Sequence, residues 1–588
     1  MKKFLQGGST TATCMKRFLC ALLVVIISGL LVSGATLNWG KVKYSRITFT
    51  YSDYGNGGKP GVYEGSAYMM VPQNATVDTP APGVIMFHGI SCAGHSMSNY
   101  AIELARRGYV VMVVDFPSSG YSDMVGQEPP KSHDPTRYME GAFNAINGLN
   151  YVQKGNLTAF GFSAGDSRAV QMATAHKDDF NLVFSGSHNV QRYAEKFDLD
   201  NLNTISVISE SAKCGTEDMV SGNPEERNFE AVYYFRNYST HLWMTIFSES
   251  FYAMNKYVDM VNPAPISIPA DNLVYKWAHV FSIIGYIGVV ALLITFAQLL
   301  LSSPFFATLK KEAFPQYKTD EPQWQKILFR VFSLFMGVIL MIILVEKLEI
   351  VTMETGLPAI PLWFNYYIPY FIGLGIFELA MFILRFHTRC GKKQGGSLEA
   401  YGIAAPGGVN ATLKMIGKAV LLGLFTAGLT YTVLTLIEQN LGIIFNVFDS
   451  SLNVAPAKLL VHSWFYILMY FFLFVSSNLN SFIAAPEPES ETMGQMIGSI
   501  ASKVVFTILP IMILVGINTA KGMGWIPGKT TFAGDHLCGY WAMMSIATIV
   551  NVVITRKTKN IWTGAAVCAC TLGFAVTFGY AFQATLFG

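Results

Sequence analysis

Charge is scarce in this chain: only 13% of its 588 residues are Asp, Glu, Lys or Arg, and the formal net charge is +3. Hydrophobic residues make up 52%, the mean hydropathy is +0.37, and together these exceed what a soluble protein carries. The few basic residues gather beside apolar runs and form no stripe, so no nucleic-acid partner is implied. Cysteine is also sparse. The eight cysteines show no metal-ligand spacing; Cys568 and Cys570 fall in an apolar run, and Cys14 and Cys20 precede or enter another, which reads as core thiols. There is no nucleotide or metal motif, so no cofactor is expected. No internal repeat marks a transporter of inverted symmetry.

Long apolar runs are what the chain has in abundance. The first, Phe18 to Val32, follows Lys2, Lys3, Lys16 and Arg17 and precedes Ser33, Gly34 and Ala35. This is the layout of a signal peptide, short for a span of about 20 residues, although Leu37 and Trp39 could extend it into an uncleaved anchor. Residues 1–36 are thus a signal peptide or an N-terminal anchor, and the basic flank predicts export of the segment C-terminal to it. From 272 to 588, runs of spanning length recur near 279–301, 327–345, 366–386, 413–437, 459–475, 504–518, 537–554 and 561–587, predicting a transmembrane domain of about eight helices. Alternation from an outside start places Lys310, Lys311 and Lys318, then Arg389, Lys392 and Lys393, then Arg556, Lys557 and Lys559 in the cytoplasm, as the positive-inside rule requires. The acidic loop at 476–502 and Lys521 and Lys529 near Trp525 fit that scheme less well. Glu378 lies near the centre of the third run, where an ionisable group is costly and becomes a functional candidate; a hydrogen bond to Thr426, Tyr431 or Asn518 is the plain alternative. His279, His462, Asp535 and His536 fall near helix ends, where interfacial solvation accounts for them.

Between these parts, residues 44–265 have ordinary polar content and alternate strand-like with helix-like patterns, enough for one α/β domain with a mostly parallel sheet. Val84–Phe87 reads as a buried strand, then a helix at Ser96–Arg107, the strand Tyr109–Asp115, and a helix opened by Asp134-Pro135 and running toward Leu149. The strand-like run Asn156–Phe160 leads into Gly161-Phe162-Ser163-Ala164-Gly165, followed by a helix-like run from Ser167 to Ala175. Three further buried strands are predicted at Leu182–Ser185, Ile205–Ser209 and Val232–Phe235. A serine at a tight strand-to-helix turn needs small neighbours two residues either side, and Gly161 and Gly165 supply them. About seventy residues upstream, the buried strand ends in His88-Gly89, a pair found in oxyanion loops.

In this order (strand-His88-Gly89, strand-Asp115, Gly161-Phe162-Ser163-Ala164-Gly165, strand-acid, histidine) the segment resembles the α/β-hydrolase superfamily over about 220 residues, a normal domain size. The resemblance implies an α/β-hydrolase fold with Ser163 as nucleophile and a triad in the chain order serine, acid, histidine. Gly215-Thr216-Glu217-Asp218-Met219-Val220 is similar to the family's acid turn, with extra residues before it, and makes Asp218 the acid, with Glu210 and Glu217 in reserve. His241, after the last strand, becomes the base; a serine hydroxyl needs such a base, and the base needs a carboxylate to fix its tautomer. His188 also lies at the catalytic end of the sheet but precedes the acid, and reads as a pocket or structural residue. His95, His133 and His176 have no comparable placement. The oxyanion donors implied are the backbone N–H groups of Ile90 and Ala164, while His88 reads as a structural hydrogen-bonding residue. Cys92 and Cys214 are the one pair in this segment for which an exported location permits a disulfide.

Only about twenty residues separate Phe184 from Ile205, near the length of an ordinary crossover. No cap domain fits there, and the membrane helices or their outer loops are expected to cover the site. The sequence therefore predicts a membrane-integrated serine hydrolase, esterase, lipase or acyltransferase in type. Its domain would lie on the extracytoplasmic side of the cell membrane and act on an ester or lipid-like substrate through an acyl-enzyme. The alternative is a transporter or sensor whose exported domain binds without turnover, with Glu378 on a proton or solute path.

Overall fold

In the computed structural model, the described residues are 10–54, 60–89, 92–117, 119–122, 134–208, 219–234, 247–311, 323–347, 367–387, 397–399, 401–447, 450–451, 463–482, 538–579 and scattered positions between 494 and 509. A helix, α1 (Thr11–Thr36), leads into a nine-stranded sheet. Its strands are β1 (Val42–Tyr54), β2 (Pro60–Pro72), β3 (Ala81–Phe87), β4 (Val110–Asp115), β5 (Val152–Gly161), β6 (Phe180–Ser185), β7 (Asn203–Ile208), β8 (Met219–Ser221) and β9 (Glu230–Tyr234). The order across the sheet is β1-β2-β4-β3-β5-β6-β7-β9-β8. From β4 to β9 every neighbour is parallel, and β1, β2 and β8 run antiparallel at the margins.

The uninterrupted apolar strands follow from burial on both faces. Side chains alternate along a strand, so Val84 and Met86 of β3 join one core and Ile85 and Phe87 the other; Val111 and Val113 of β4 part from Val110, Met112 and Val114 in the same way. Helices α2 (Ser98–Ala105) and α5 (Ser248–Val261) cover the first face, and α3 (Pro135–Asn147) and α4 (Ala164–Ala175) the second. The expected helix at 96–107 is divided: a 3-10 turn, Gly94–Met97, precedes α2. Asp134 caps α3 through the Thr136 amide, with Pro135 in the first turn, as read from the sequence. Between β6 and β7 there is a 3-10 turn, Val190–Tyr193, and no inserted domain.

Among the described residues four helices are long and apolar enough to cross a membrane: α1, α6 (Tyr275–Leu300), α8 over Ile368–Arg385, and α9 (Gly408–Leu441). With α7 (Gln323–Lys347), α10 (Ser463–Phe482), α11 (Cys538–Thr558) and α12 (Ile561–Gly579), helices α6, α8 and α9 form a second, all-helical core. Three of the eight expected spans thus meet the length and hydropathy criterion among the described residues; α1, read from Phe18–Val32 as short, meets it because the helix runs on to Thr36. The run at 504–518 lies almost wholly outside the described residues, as do His462, Asp535 and His536.

Helix α1 lies along α6, with Ala21, Val25 and Val32 packed on Tyr286, Val289 and Leu293. Its far end meets α9, where the Ser33 hydroxyl donates to the Leu441 carbonyl at 2.8 Å. Helix α9 stops at Gly442, in the left-handed region at φ 64°, where a Cβ would press on the Tyr44 ring. The C-terminal ends of α1 and α9 and the N-terminal end of α6 therefore converge on the α/β part of the chain.

Candidate active site

Ser163 stands between β5 and α4 with φ 58° and ψ −118°, a region an L residue holds only when its surroundings fix it. They do so from several sides. A Cβ at Gly165 would enter the Phe87 carbonyl, and one at Gly161 would enter the Asp166 backbone, so neither flanking glycine has room for a side chain. The Asp166 amide donates to the Ser163 carbonyl at 3.0 Å and the Gly165 amide to that of Phe162 at 2.9 Å. The Ser163 amide itself donates to the Ser187 hydroxyl at 2.7 Å. Ser163 and Ala164 are part-exposed while Gly161, Phe162, Gly165 and Asp166 are buried, so the tight turn exposes the hydroxyl-bearing residue.

Beneath the serine lies a polar unit that the sequence reading missed. The Ser187 hydroxyl donates to Asp166 Oδ2 at 2.6 Å, and His188 Nδ1 donates to the same oxygen at 2.6 Å. The Asp166 carboxylate is fully buried and its Oδ1 has no hydrogen-bond partner. A carboxylate so placed needs compensation, and His188, one-quarter exposed, supplies the adjoining donor. Asp166 was hidden in the helix pattern; its position three residues past the serine was the available signal. His188, read as a pocket or structural residue, is joined through Asp166 and Ser187 to the turn that carries Ser163.

Gly89 backs onto the serine: a Cβ there would lie 3.2 Å from that of Ser163. His88 is buried, accepts the Phe116 amide on Nε2 at 3.2 Å and pairs Nδ1 with the Gly89 carbonyl at 2.7 Å. Accepting on Nε2 makes Nδ1 the donor, and burial pushes the imidazole below its ordinary pKa, so His88 holds the loop as a neutral ring. Asp115 ends β4 and organises the neighbouring turn, accepting the amides of Gly94 at 2.8 Å and Tyr121 at 3.2 Å. Ala164 begins α4, and the first amides of a helix have no intrahelical acceptor; its N–H is available for the oxyanion role. Ile90, Asp218 and His241 lie outside the described residues, as do Glu210, Glu217, His133 and Cys214, the proposed partner of Cys92. Strand β8 begins at Met219, the residue that follows Asp218 in the chain.

Glu378 sits in the helical core, away from this site. Asn480 of α10 donates to its carboxylate Oε2 and to its carbonyl, a partner other than the expected Thr426 or Tyr431; Asn518 lies outside the described residues. Nearby, Asn478 and Asn551 exchange amide hydrogen bonds at 3.0 Å, and Lys503 donates to Asn478 at 3.0 Å. His95 and His176 are also placed: His95 against Arg46 at 3.0 Å, and His176 against Glu140 at 2.9 Å.

No family model matches the chain. No curated protein matches it either. Similar solved structures are mostly esterases and serine hydrolases. They include an esterase from Pyrococcus furiosus (14% identity, 29% of this chain and 71% of that one, TM-score 0.21). A fluorophosphonate-binding serine hydrolase of Staphylococcus aureus (12%, 28% and 80%, 0.21) is another. A hypothetical protein from Pseudomonas aeruginosa is 20% identical over 26% of this chain, which spans just under half of that protein at 46%, with a TM-score of 0.22. At these scores the reading of the site rests on the geometry above.

Proposed function

We propose that the chain is a membrane-integrated serine hydrolase that cleaves or transfers the acyl group of an ester on the extracytoplasmic side, with Ser163 as nucleophile. The observation that carries this reading is the strained, over-determined turn that presents Ser163 beside Gly89 and at the start of α4. Such a turn costs on the order of 1–3 kcal/mol, and an exposed serine is the one group it serves. In the α/β-hydrolase scheme, Ser163 Oγ attacks the ester carbonyl carbon as its proton passes to His241, oriented by Asp218. The developing oxyanion is held by the amides of Ile90 and Ala164. Collapse expels the alcohol, which takes the proton from the imidazolium, and water or a second hydroxyl then releases the acyl group from Ser163.

The rival reading, a transporter or sensor with a binding-only domain, draws on Glu378. Its carboxylate is already engaged by Asn480, which accounts for the residue as helix packing.

The deciding experiment labels the full chain in membranes with a fluorescent fluorophosphonate. Wild type should be labelled and Ser163→Ala should not; His241→Ala and Asp218→Ala should slow labelling by orders of magnitude. A folded wild-type protein that takes no label would sink the hydrolase reading and leave ligand binding.

A further inference from the structure

A shallow cleft opens where the helix ends meet the α/β part. Its helical wall is the last turn of α1 at Thr36, the first turns of α6 at His279 and Ser282, and the segment after α9 at Ile443. Tyr44, His95 and Asn99 close it from the other side. Because α1 and α6 are of membrane-crossing length, and α1 ends and α6 begins here, a bilayer crossed by both sets the cleft at the depth of lipid headgroups and ester carbonyls.

Its chemistry is mixed and uncharged. Met70, Ile102 and Ile443 give an apolar floor, while hydroxyl, amide and imidazole groups form the rim. The Tyr44 hydroxyl is buried in its wall, beside Arg46. Arg46, the nearby cation, is already engaged by Glu438 at 2.7 Å and Asp115 at 3.4 Å. His95 stacks flat on Tyr68 and accepts from Arg46 on Nε2 at 3.0 Å; burial and Arg46 push its pKa well down, so it stays neutral. A phosphate would find no uncommitted charge, whereas a glycerol hydroxyl or ester oxygen would find donors and acceptors.

The cleft is linked to the candidate chemistry through Asp115. His95 lies six residues past Gly89 in the chain, in the turn Gly94–Met97, and Asp115 holds that turn through Gly94. Register sets Val114, Phe87 and Gly161 side by side across β4, β3 and β5, so Asp115 lies level with Phe162, two strand spacings or about 10 Å across. The bundle thus meets the edge of the sheet that carries Ser163.

We propose that this cleft binds the glycerol end of an uncharged membrane acylglycerol, whose acyl chains lie along α1 and α6. The substrate-class part rests on the hydrolase reading; binding itself does not. The probe is a diazirine-bearing diacylglycerol in nanodiscs holding the full chain, with a matching diazirine phosphatidylglycerol as comparison. Photocross-links on Ser163→Ala, where no turnover can occur, should map to peptides around Thr36, His279 and Ile443. The phosphatidylglycerol probe should label these peptides at least tenfold less. Ala278→Trp, which fills the cleft wall, should cut diacylglycerol cross-linking by a similar factor at an unchanged melting temperature. If that variant unfolds, the peptide map on Ser163→Ala still decides. Cross-links spread over the bundle, or equal labelling by the anionic lipid, would overturn the proposal. Loss of fluorophosphonate labelling with focused cross-links would instead overturn the hydrolase reading alone.

Discussion

Ser163 keeps its φ of 58° because both ends of the residue are tied: its amide to Ser187 and its carbonyl to the Asp166 amide. Ser187→Ala removes a partner from the buried Asp166 as well as from Ser163, and should cost about 1–3 kcal/mol. If the strain serves the nucleophile, the variant should also lower the fluorophosphonate labelling rate by about tenfold, and Ser187→Thr should restore part of it. A labelling rate unchanged at a lowered melting temperature would make the unit purely structural. Gly165→Ala drives a methyl group into the Phe87 carbonyl, a backbone atom that cannot turn aside; overpacking of this kind costs about 1–3 kcal/mol or more. The expected result is a lower melting temperature with lost labelling. Gly161 and Gly165 were legible in the sequence because their spacing alone states the steric demand, whereas Ser187 and Asp166 meet only after β5 and β6 pair.

At the scale of elements, two neutral, buried imidazoles tie the segment after β3 to its neighbours: His88 to the Phe116 amide past β4, and His95 to Arg46 of β1. Burial lowers the pKa of His88, and burial with Arg46 lowers that of His95. Their unfolded forms take up protons below about pH 6.5 while the folded forms resist. Their contribution to stability is therefore full above that pH and is lost as the pH falls toward the folded values. Melting of the full chain between pH 8 and pH 5 should show a falling midpoint, and His95→Gln should flatten the slope. A midpoint independent of pH in wild type would contradict the neutral assignment. The parallel strands were readable as apolar runs because both faces are buried, yet the antiparallel β1–β2 pair at the sheet margin was not singled out, since its outer residues mix polar and apolar side chains.

The whole molecule is fastened at Arg46, which reaches Glu438 of α9 from β1 and packs its guanidinium 3.6 Å from the centre of the Tyr121 ring. Tyr121 completes the cluster by donating to Glu438 Oε2 at 3.1 Å. Removing one partner of a buried pair costs about 3–5 kcal/mol; Arg46 is one-fifth exposed, so Arg46→Ala should fall below that range. Calorimetry should then show the α/β part melting apart from the bundle, and Arg46→Ala with Glu438→Gln should be less than additive. A single unchanged transition in both variants would remove the joint from the account.

What the sequence determined by itself was local: the spacing of the elbow, the two-face burial of the central strands, the length of the apolar runs and the absence of an inserted cap. These depend on neighbours within a few residues, so composition and period record them. Only the tertiary structure decided that Asp166 and His188 adjoin Ser163 through Ser187, that Glu378 answers to Asn480, and that Arg46 and Glu438, 392 positions apart, pin the sheet to the helical bundle. Pairings of that separation depend on strand register and helix packing, which no local pattern encodes.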